Sequence, residues 1–252
     1  MSARHLLWNE DCLEAMLKIP DNYIDMVLTD PPYGTTACKW DSVIPLNEMW
    51  EQVNRIIRPN GAIVMTAAQP FTSILVASNL RGFKHDWIWV KNRGSNFASL
   101  KYQPMKEHES VLVFTQNGEK VSYYPLKEER RGSGAKRAEY AFNASNTGKR
   151  EVYNNIIETR TNQKIEKLRN PSTVQQYNTE VGLHPTQKPV ALMAYLIKTY
   201  TLEHETVVDF AMGSGTSGVA ALNLNRCFIG IELDKKYFNI AKNRIEKVNA
   251  PI

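Results

Sequence analysis

Cysteine is scarce in this chain and long apolar runs are missing. Only Cys12, Cys38 and Cys227 occur among 252 residues. A scattered, odd-numbered set forms neither a disulfide framework nor a paired-cysteine metal knuckle, so a reducing compartment and a cytoplasmic location are expected. His5, His85, His184 and His204 are too dispersed for a metal site, and no metal is expected. No apolar run approaches a bilayer span, which argues against a membrane partner. The opening residues mix Arg4, His5, Asn9 and Glu10 and do not read as a secretory leader. Repeats of solenoid period are also lacking. What is there, 42% hydrophobic and 23% charged residues, excludes wholesale disorder. The length suffices for a hydrophobic core without a disulfide or metal staple.

Aspartate is absent from residues 91–183 altogether. That stretch holds 16 Lys and Arg against 10 Glu, while the rest of the chain holds 15 against 16, so it accounts for the whole net charge of +5. It includes Arg130, Arg131, Lys136 and Arg137, with Tyr123, Tyr124, Tyr140 and Tyr153 interleaved. Charge alone favours a solvated, loop-rich insertion. The sharper reading is a nucleic-acid face, with cations for phosphates and aromatic rings for bases. Lys91, Arg93, Lys101 and Lys106 flank strand ends and are further candidates for phosphate contact.

Outside roughly 116–183, strand-like and helix-like segments alternate. Strands are expected at His5–Asn9, Ile24–Thr29, Ala62–Thr66, Asp86–Val90, Ser110–Thr115, Thr206–Phe210 and Cys227–Ile231. Helices are expected at Asp11–Lys18, Leu46–Ile57, Phe71–Leu80, Val190–Thr199, Ser217–Asn225 and Lys235–Val248. About seven strands alternating with helices predict an open α/β sheet. Trp87 and Trp89 fall on one strand face and read as core.

The strand ending at Phe210 runs into Ala211-Met212-Gly213-Ser214-Gly215-Thr216-Ser217-Gly218. Glycines at 213, 215 and 218 give G-x-G-x-x-G, whose backbone can approach a ligand closely. The following helix turns its first N–H groups towards that ligand. Glu232 lies 19 residues after Gly213, at the end of the next strand, where a carboxylate can accept from both hydroxyls of a ribose. A ligand-free glycine turn is the competing reading, and the frame of strand, helix, strand and acid argues against it. Only about 20 residues follow Glu232, fewer than the rest of a nucleotide-binding half-sheet needs. The missing strands are therefore expected at the N-terminus, in a circularly permuted, Rossmann-like, seven-stranded sheet. Asp11 would then stand at the carboxyl end of the third strand, facing an adenine amine.

Strand Ile24–Thr29 ends in Asp30-Pro31-Pro32-Tyr33. Two consecutive prolines remove two donors and stiffen the turn. Asp30 and the Pro31 carbonyl could accept both hydrogens of an exocyclic amine, and Tyr33 could stack on its ring. An ordinary proline-rich turn is the bland alternative.

Taken with the displaced glycine loop, this tetrapeptide resembles the S-adenosylmethionine-dependent amino-methyltransferases of DNA, in their β group. Further matching segments are 9–13, 58–61, 106–109 and 184–189, and Glu10 departs from the glycine common at its place. The resemblance implies methyl transfer to an exocyclic nitrogen of a flipped base. Asp30, Pro31, Pro32 and Tyr33 would be catalytic. Asp11, Cys12, Asp30, Thr186, Lys188, Asp209, Phe210, Ala211, Gly213, Ser214, Gly215, Thr216 and Glu232 would hold S-adenosylmethionine. Asp first in the tetrapeptide favours adenine N6 over cytosine N4.

The implied organisation is a catalytic half over 1–115, a target-recognition insertion over 116–183 and a cofactor half over 184–252. The implied partner is double-stranded DNA, with room for a homodimer and a cognate restriction enzyme in a prokaryotic or phage setting. An NAD-dependent oxidoreductase, an RNA methyltransferase and a non-catalytic DNA-binding protein are the alternatives. No helix-turn-helix or finger is evident in 116–183 to read base edges.

Overall fold

The computed structural model describes residues 4–35, 41–129, 149–152, 155–158, 168–180, 182–183 and 186–249. Two compact units are present, one of Met1–Tyr124 with Thr173–Ile252 and one of Pro125–Ser172. In chain order the larger unit begins with β1 (His5–Trp8), α1 (Cys12–Met16), β2 (Ile24–Thr29), α2 (Leu46–Ile56), β3 (Ile57–Ala67), α3 (Phe71–Ser78), β4 (Phe83–Ser95) and β5 (Lys106–Phe114). The smaller unit carries β6 (Glu128–Glu129), β7 (Lys149–Val152), β8 (Asn155–Glu158) and β9 (Leu168–Arg169). The larger unit then resumes with β10 (Val174–Gln176), α4 (Val190–Tyr200), β11 (Thr206–Asp209), α5 (Thr216–Asn223), β12 (Cys227–Ile231) and α6 (Lys235–Asn249).

The larger unit is built on one eight-stranded sheet of order β1-β12-β11-β2-β3-β5-β4-β10. Every neighbouring pair is parallel except those of β5, which runs against both β3 and β4. This is the expected permuted Rossmann-like arrangement with one more strand. The eighth, β10, is a three-residue edge strand of sequence VQQ, too short and polar to show an apolar pattern.

The sheet is covered on both faces, as parallel strands require. Along β3, Ile63, Met65 and Ala67 join one core, and Ala62 and Val64 join the other. In β2 the alternation is broken. Ile24 and Val27 share a face because a register irregularity falls between Ile24 and Met26. Trp87 and Trp89 are buried, as expected, and their indole N–H groups donate to the Tyr200 hydroxyl and the Tyr177 carbonyl.

Three strands are longer than their apolar patterns suggested. β4 continues through Lys91–Ser95 and β5 starts at Lys106, because the ladder is rejoined at Ser95–Lys106 after a register irregularity that follows Val90–His108. β3 likewise begins at Ile57, ahead of the expected stop at 58–61, with Asn60 in the left-handed region at φ 66°.

In the smaller unit, β6 pairs with β9 and β7 with β8, both antiparallel. The Glu128 carboxylate accepts from the Ser172 N–H at 2.9 Å and pairs with Arg169 at 3.2 Å. Arg130, Arg131, Lys136, Arg137, Tyr140 and Tyr153 lie outside the described residues, as do Cys38, Trp40, His184 and Pro185. No helix among the described residues is long and apolar enough to cross a membrane.

Candidate active site

The chain leaves β11 towards β12 on one side and leaves β2 towards β3 on the other. β11 and β2 are themselves neighbours, so their carboxyl ends form the switch point where open α/β sheets hold ligands. A hydrogen bond ties the two ends together: Thr29 Oγ1 donates to Asp209 Oδ1 at 2.7 Å. A cavity of about 570 Å³ opens there. Of the cofactor residues expected from sequence, all line it except Gly215, and the whole tetrapeptide Asp30–Tyr33 lines it too.

The glycine loop forms one wall. Gly213 and Gly215 take φ values of 52° and 77°, which L side chains rarely adopt. A Cβ at Gly215 would also press on the Cβ of Ala241 in α6, only 2.9 Å away. Glu232 fixes the loop from the end of β12. Its Oε2 accepts from the Gly213 N–H and its Oε1 from the Asp234 N–H, each at 2.8 Å. Burial pushes the Glu232 carboxyl up, and those amides pull it back. The carboxylate keeps acceptor capacity beyond its backbone amides, which a ribose hydroxyl can use. Arg244, reaching from α6, donates to the Ser214 carbonyl at 2.6 Å and contacts Thr216 Oγ1 at 3.2 Å. The sequence offers no signal for this clamp, because Arg244 belongs to the polar pattern of an amphipathic helix.

Asp209 is a strut inside the wall. Its carboxylate accepts from Thr29, from Ser217 and from the Ala211 N–H. Burial pushes its pKa up to about 7, against the pull of those donors. The folded state thus holds this proton more tightly than the unfolded chain, whose carboxyl titrates near 3.8. The resulting stability is complete below the unfolded value and is lost as pH rises through the folded one. Asp209→Asn should remove that loss. Chemical denaturation at about pH 4.5 and about pH 7.5 is expected to show the variant gaining on the wild type at the higher pH. A gap independent of pH would contradict this.

Asp11 caps α1, its Oδ1 accepting from the Leu13 and Glu14 N–H groups. Oδ2 takes no part in the cap. Burial, with Asp11 nearby, pushes the Cys12 thiol up to about 12, so it stays neutral.

The opposite wall is a chain of four charges. Asp30 Oδ1 accepts from Tyr33 at 2.6 Å and from Thr66, and Lys188 donates to Oδ2 at 2.5 Å. Lys188 also lies 3.4 Å from Glu109, which pairs in turn with Lys91. Burial works against charge on Lys188 and on Glu109, but the neighbouring opposite charges win in both. Lys188 is held above the usual lysine range, and Glu109 below the usual glutamate range. Burial and the Asp30 charge raise the Tyr33 hydroxyl well above its ordinary value. The Tyr33 ring stacks on Phe71, with centroids 5.3 Å apart and planes at 21°.

Two sequence expectations change here, and two residues join the site. Lys188 is buried against Asp30 and Glu109, so its charge is taken up by those two acids and not left for the methionine end of a cofactor. Lys91 is not placed for phosphate. Its ammonium is taken up by Glu109 and lies 5.2 Å from the Trp89 ring centre, with the side chain only 11% exposed. Thr66 and Glu109 enter the site without having been assigned a role. A polar residue closing the apolar run Ala62–Met65 was the available signal for Thr66. Arg93, Lys101 and Lys106 are exposed, as phosphate contacts must be.

An anchored acid beside a glycine loop, facing an acidic turn across a cavity at the switch point, defines a class. It is that of Rossmann-like enzymes which hold a nucleoside-bearing cofactor against a second substrate. The model of the N6/N4 DNA methylase family matches residues 24–243, and the chain belongs to that family. It is an S-adenosylmethionine-dependent DNA amino-methyltransferase.

Type II methyltransferase M.HpaI of Haemophilus parainfluenzae is 26% identical over 249 residues, covering 94% of this chain and 72% of that protein. Type II methyltransferase M2.DpnII of Streptococcus pneumoniae is 24% identical over 269 residues, covering 97% and 90%. The crystal structure of the M1.HpyAVI–SAM complex superposes with a TM-score of 0.65 at 26% identity, over 95% of this chain and 99% of that one. The cytosine-N4-specific PvuII DNA methyltransferase shares the fold, with a TM-score of 0.64 at 17% identity over 97% and 90%.

The residues present fit the cofactor. The cavity volume lies within the roughly 300–1,000 Å³ usual for such sites. The doubly anchored Glu232 carboxylate suits a ribose diol, and it stands beside a glycine loop that admits close backbone approach.

Proposed function

We propose that the chain methylates the N6 amine of adenine in double-stranded DNA, with Asp30 receiving the amine. The state of the Asp30 carboxylate carries this reading. Two carboxylate oxygens offer about four acceptor sites. Tyr33 and Thr66 take two on Oδ1 and Lys188 takes one on Oδ2, so Oδ2 can still accept an amine hydrogen. The Pro31 carbonyl accepts the second.

An exocyclic amine is a poor nucleophile because its lone pair is delocalised into the ring. Two acceptors on its hydrogens draw the nitrogen towards tetrahedral geometry and free that pair. Positive charge then grows on the nitrogen beside a carboxylate already fixed in place, and preorganised charge of this kind lowers the barrier. Lys188 does not cancel the effect, because its own charge is shared with Glu109.

Bound S-adenosylmethionine supplies an electrophilic methyl carbon. The chain's own part is alignment. Glu232 takes the ribose hydroxyls, Asp11 Oδ2 the adenine amine and Thr186 the methionine end. Phe210, Ala211, Gly213, Ser214 and Thr216 pack along the cofactor. Tyr33, braced by Phe71, stacks on the flipped base.

Asp at the head of the tetrapeptide supports adenine over cytosine. The Type II designation of the relatives supports a cognate restriction enzyme as partner. The test is nucleoside analysis by mass spectrometry after the purified protein has acted on duplex DNA with S-adenosylmethionine. N6-methyladenine is expected; N4-methylcytosine alone would overturn the adenine reading.

A further inference from the structure

The β4–β5 hairpin runs out past the sheet edge that bears the active site. β2, β3 and β4 all point the same way, so the carboxyl end of β4 lies on the same edge as Asp30. The last rung of β3 joins Ala67 to Ser110, while β4 pairs with β5 as far as Ser95 and Lys106. Four further residues of β5, opposite an irregular stretch of β4 between Val90 and Ser95, run about 13 Å beyond that rung. On the other side, Asn92 accepts from Thr179 at 2.8 Å, and past it no other strand pairs with the ribbon among the described residues. The foot of the hairpin is part of the active-site wall, because Glu109 lines the cavity and pairs with Lys188.

The tip is folded on itself. Asn96, in the left-handed region at φ 63°, accepts from the Lys106 N–H at 2.8 Å and donates to the Pro104 carbonyl at 3.2 Å. The Tyr102 N–H donates to the Ser99 carbonyl at 2.9 Å. This ordered tip nevertheless presents its aromatic side chains to solvent. Tyr102 is 88% exposed and Phe97 is 63% exposed. Residues 91–106 contain no acid, and the same stretch carries Arg93, Lys101 and Lys106 as exposed cations. Exposed rings and exposed cations on one projecting hairpin match stacked bases flanked by phosphates.

We propose that this tip is a wedge for duplex DNA. Tyr102, supported by Phe97, stacks into the gap left when the target base swings into the cavity, and Arg93, Lys101 and Lys106 hold the adjoining phosphates. The proposal rests on the chain's action on duplex DNA and adds how the extruded state is held. Unstacking a base is costly in a perfect duplex and much less so at a mismatch. A wedge should therefore matter most where the base is paired.

The test compares wild type with Tyr102→Ala and the Phe97→Ala, Tyr102→Ala double variant. Substrates are a perfect duplex and the same duplex with a mismatch opposite the target base. Alanine in place of a stacking ring should lower kcat/KM on the perfect duplex about ten-fold or more, with the loss largely restored at the mismatch. Tyr102→Phe should behave as wild type. Equal losses on both substrates, or no loss, would overturn the wedge. A change in sedimentation in place of the substrate-dependent loss would assign the tip to contacts between copies of the chain, and would also overturn it. A wild type that methylates neither substrate would instead refute the enzymatic reading, which keeps the two failures distinct.

Discussion

Asp30→Ala is expected to lower kcat for methyl transfer by about 10³-fold or more, while S-adenosylmethionine and duplex DNA still bind. Removing one preorganised group that meets charge in the transition state commonly costs about 10²–10³-fold. Asp30 does more than one such task. In our proposal it accepts an amine hydrogen and faces the growing positive charge, and its other contacts orient Tyr33 and Lys188. The fold should survive, because Lys188 retains Glu109 as a partner. Asp30→Asn separates shape from charge. The amide oxygen can still accept from Tyr33 and Thr66, but the amide nitrogen then faces the Lys188 ammonium and the substrate amine with donors. A loss nearly as large as that of the alanine variant is expected. Single-turnover kinetics with both substrates saturating makes the measurement, and retention of more than a tenth of the wild-type rate by Asp30→Ala would contradict it.

Glu232→Ala is the second large effect, and it falls on the cofactor. The side chain joins the Gly213 and Asp234 N–H groups on one side and, in our reading, the ribose hydroxyls on the other. Hydrogen bonds to a charged group contribute about 1.5–3 kcal/mol each. Loss of two ribose contacts, with the loop's own anchor gone, should raise the Kd for S-adenosylmethionine about 100-fold or more. At saturating cofactor kcat should fall far less, since Asp30 and its partners are untouched. Calorimetry reads the first quantity and steady-state kinetics the second. An unchanged Kd would show that the carboxylate serves only to shape the loop.

Much of this was legible because two motifs report backbone geometry. Gly213 and Gly215 occupy positive φ, which few residues tolerate, so the turn is visible in the residues themselves. Pro31 and Pro32 mark the other turn for a similar reason. The permuted order followed from where those turns fall in the chain. What sequence did not reveal depends on contacts between distant segments. Lys188 looks like any lysine ahead of a helix, and only the fold brings it 2.5 Å from an oxygen 158 residues away. Lys91 looks like a phosphate contact until β5 places Glu109 beside it. The projecting hairpin was invisible because ladder hydrogen bonds, which leave no apolar signature, extend β4 and β5 into polar sequence.

The most direct test is single-molecule mapping of modified bases in the genome of a host without DNA methylation of its own. One culture expresses this chain and a parallel culture expresses Asp30→Ala. Wild type should deposit N6-methyladenine and the variant none. N4-methylcytosine in place of methyladenine, or equal methylation by the two chains, would contradict the assignment of Asp30 as the residue that receives an adenine amine.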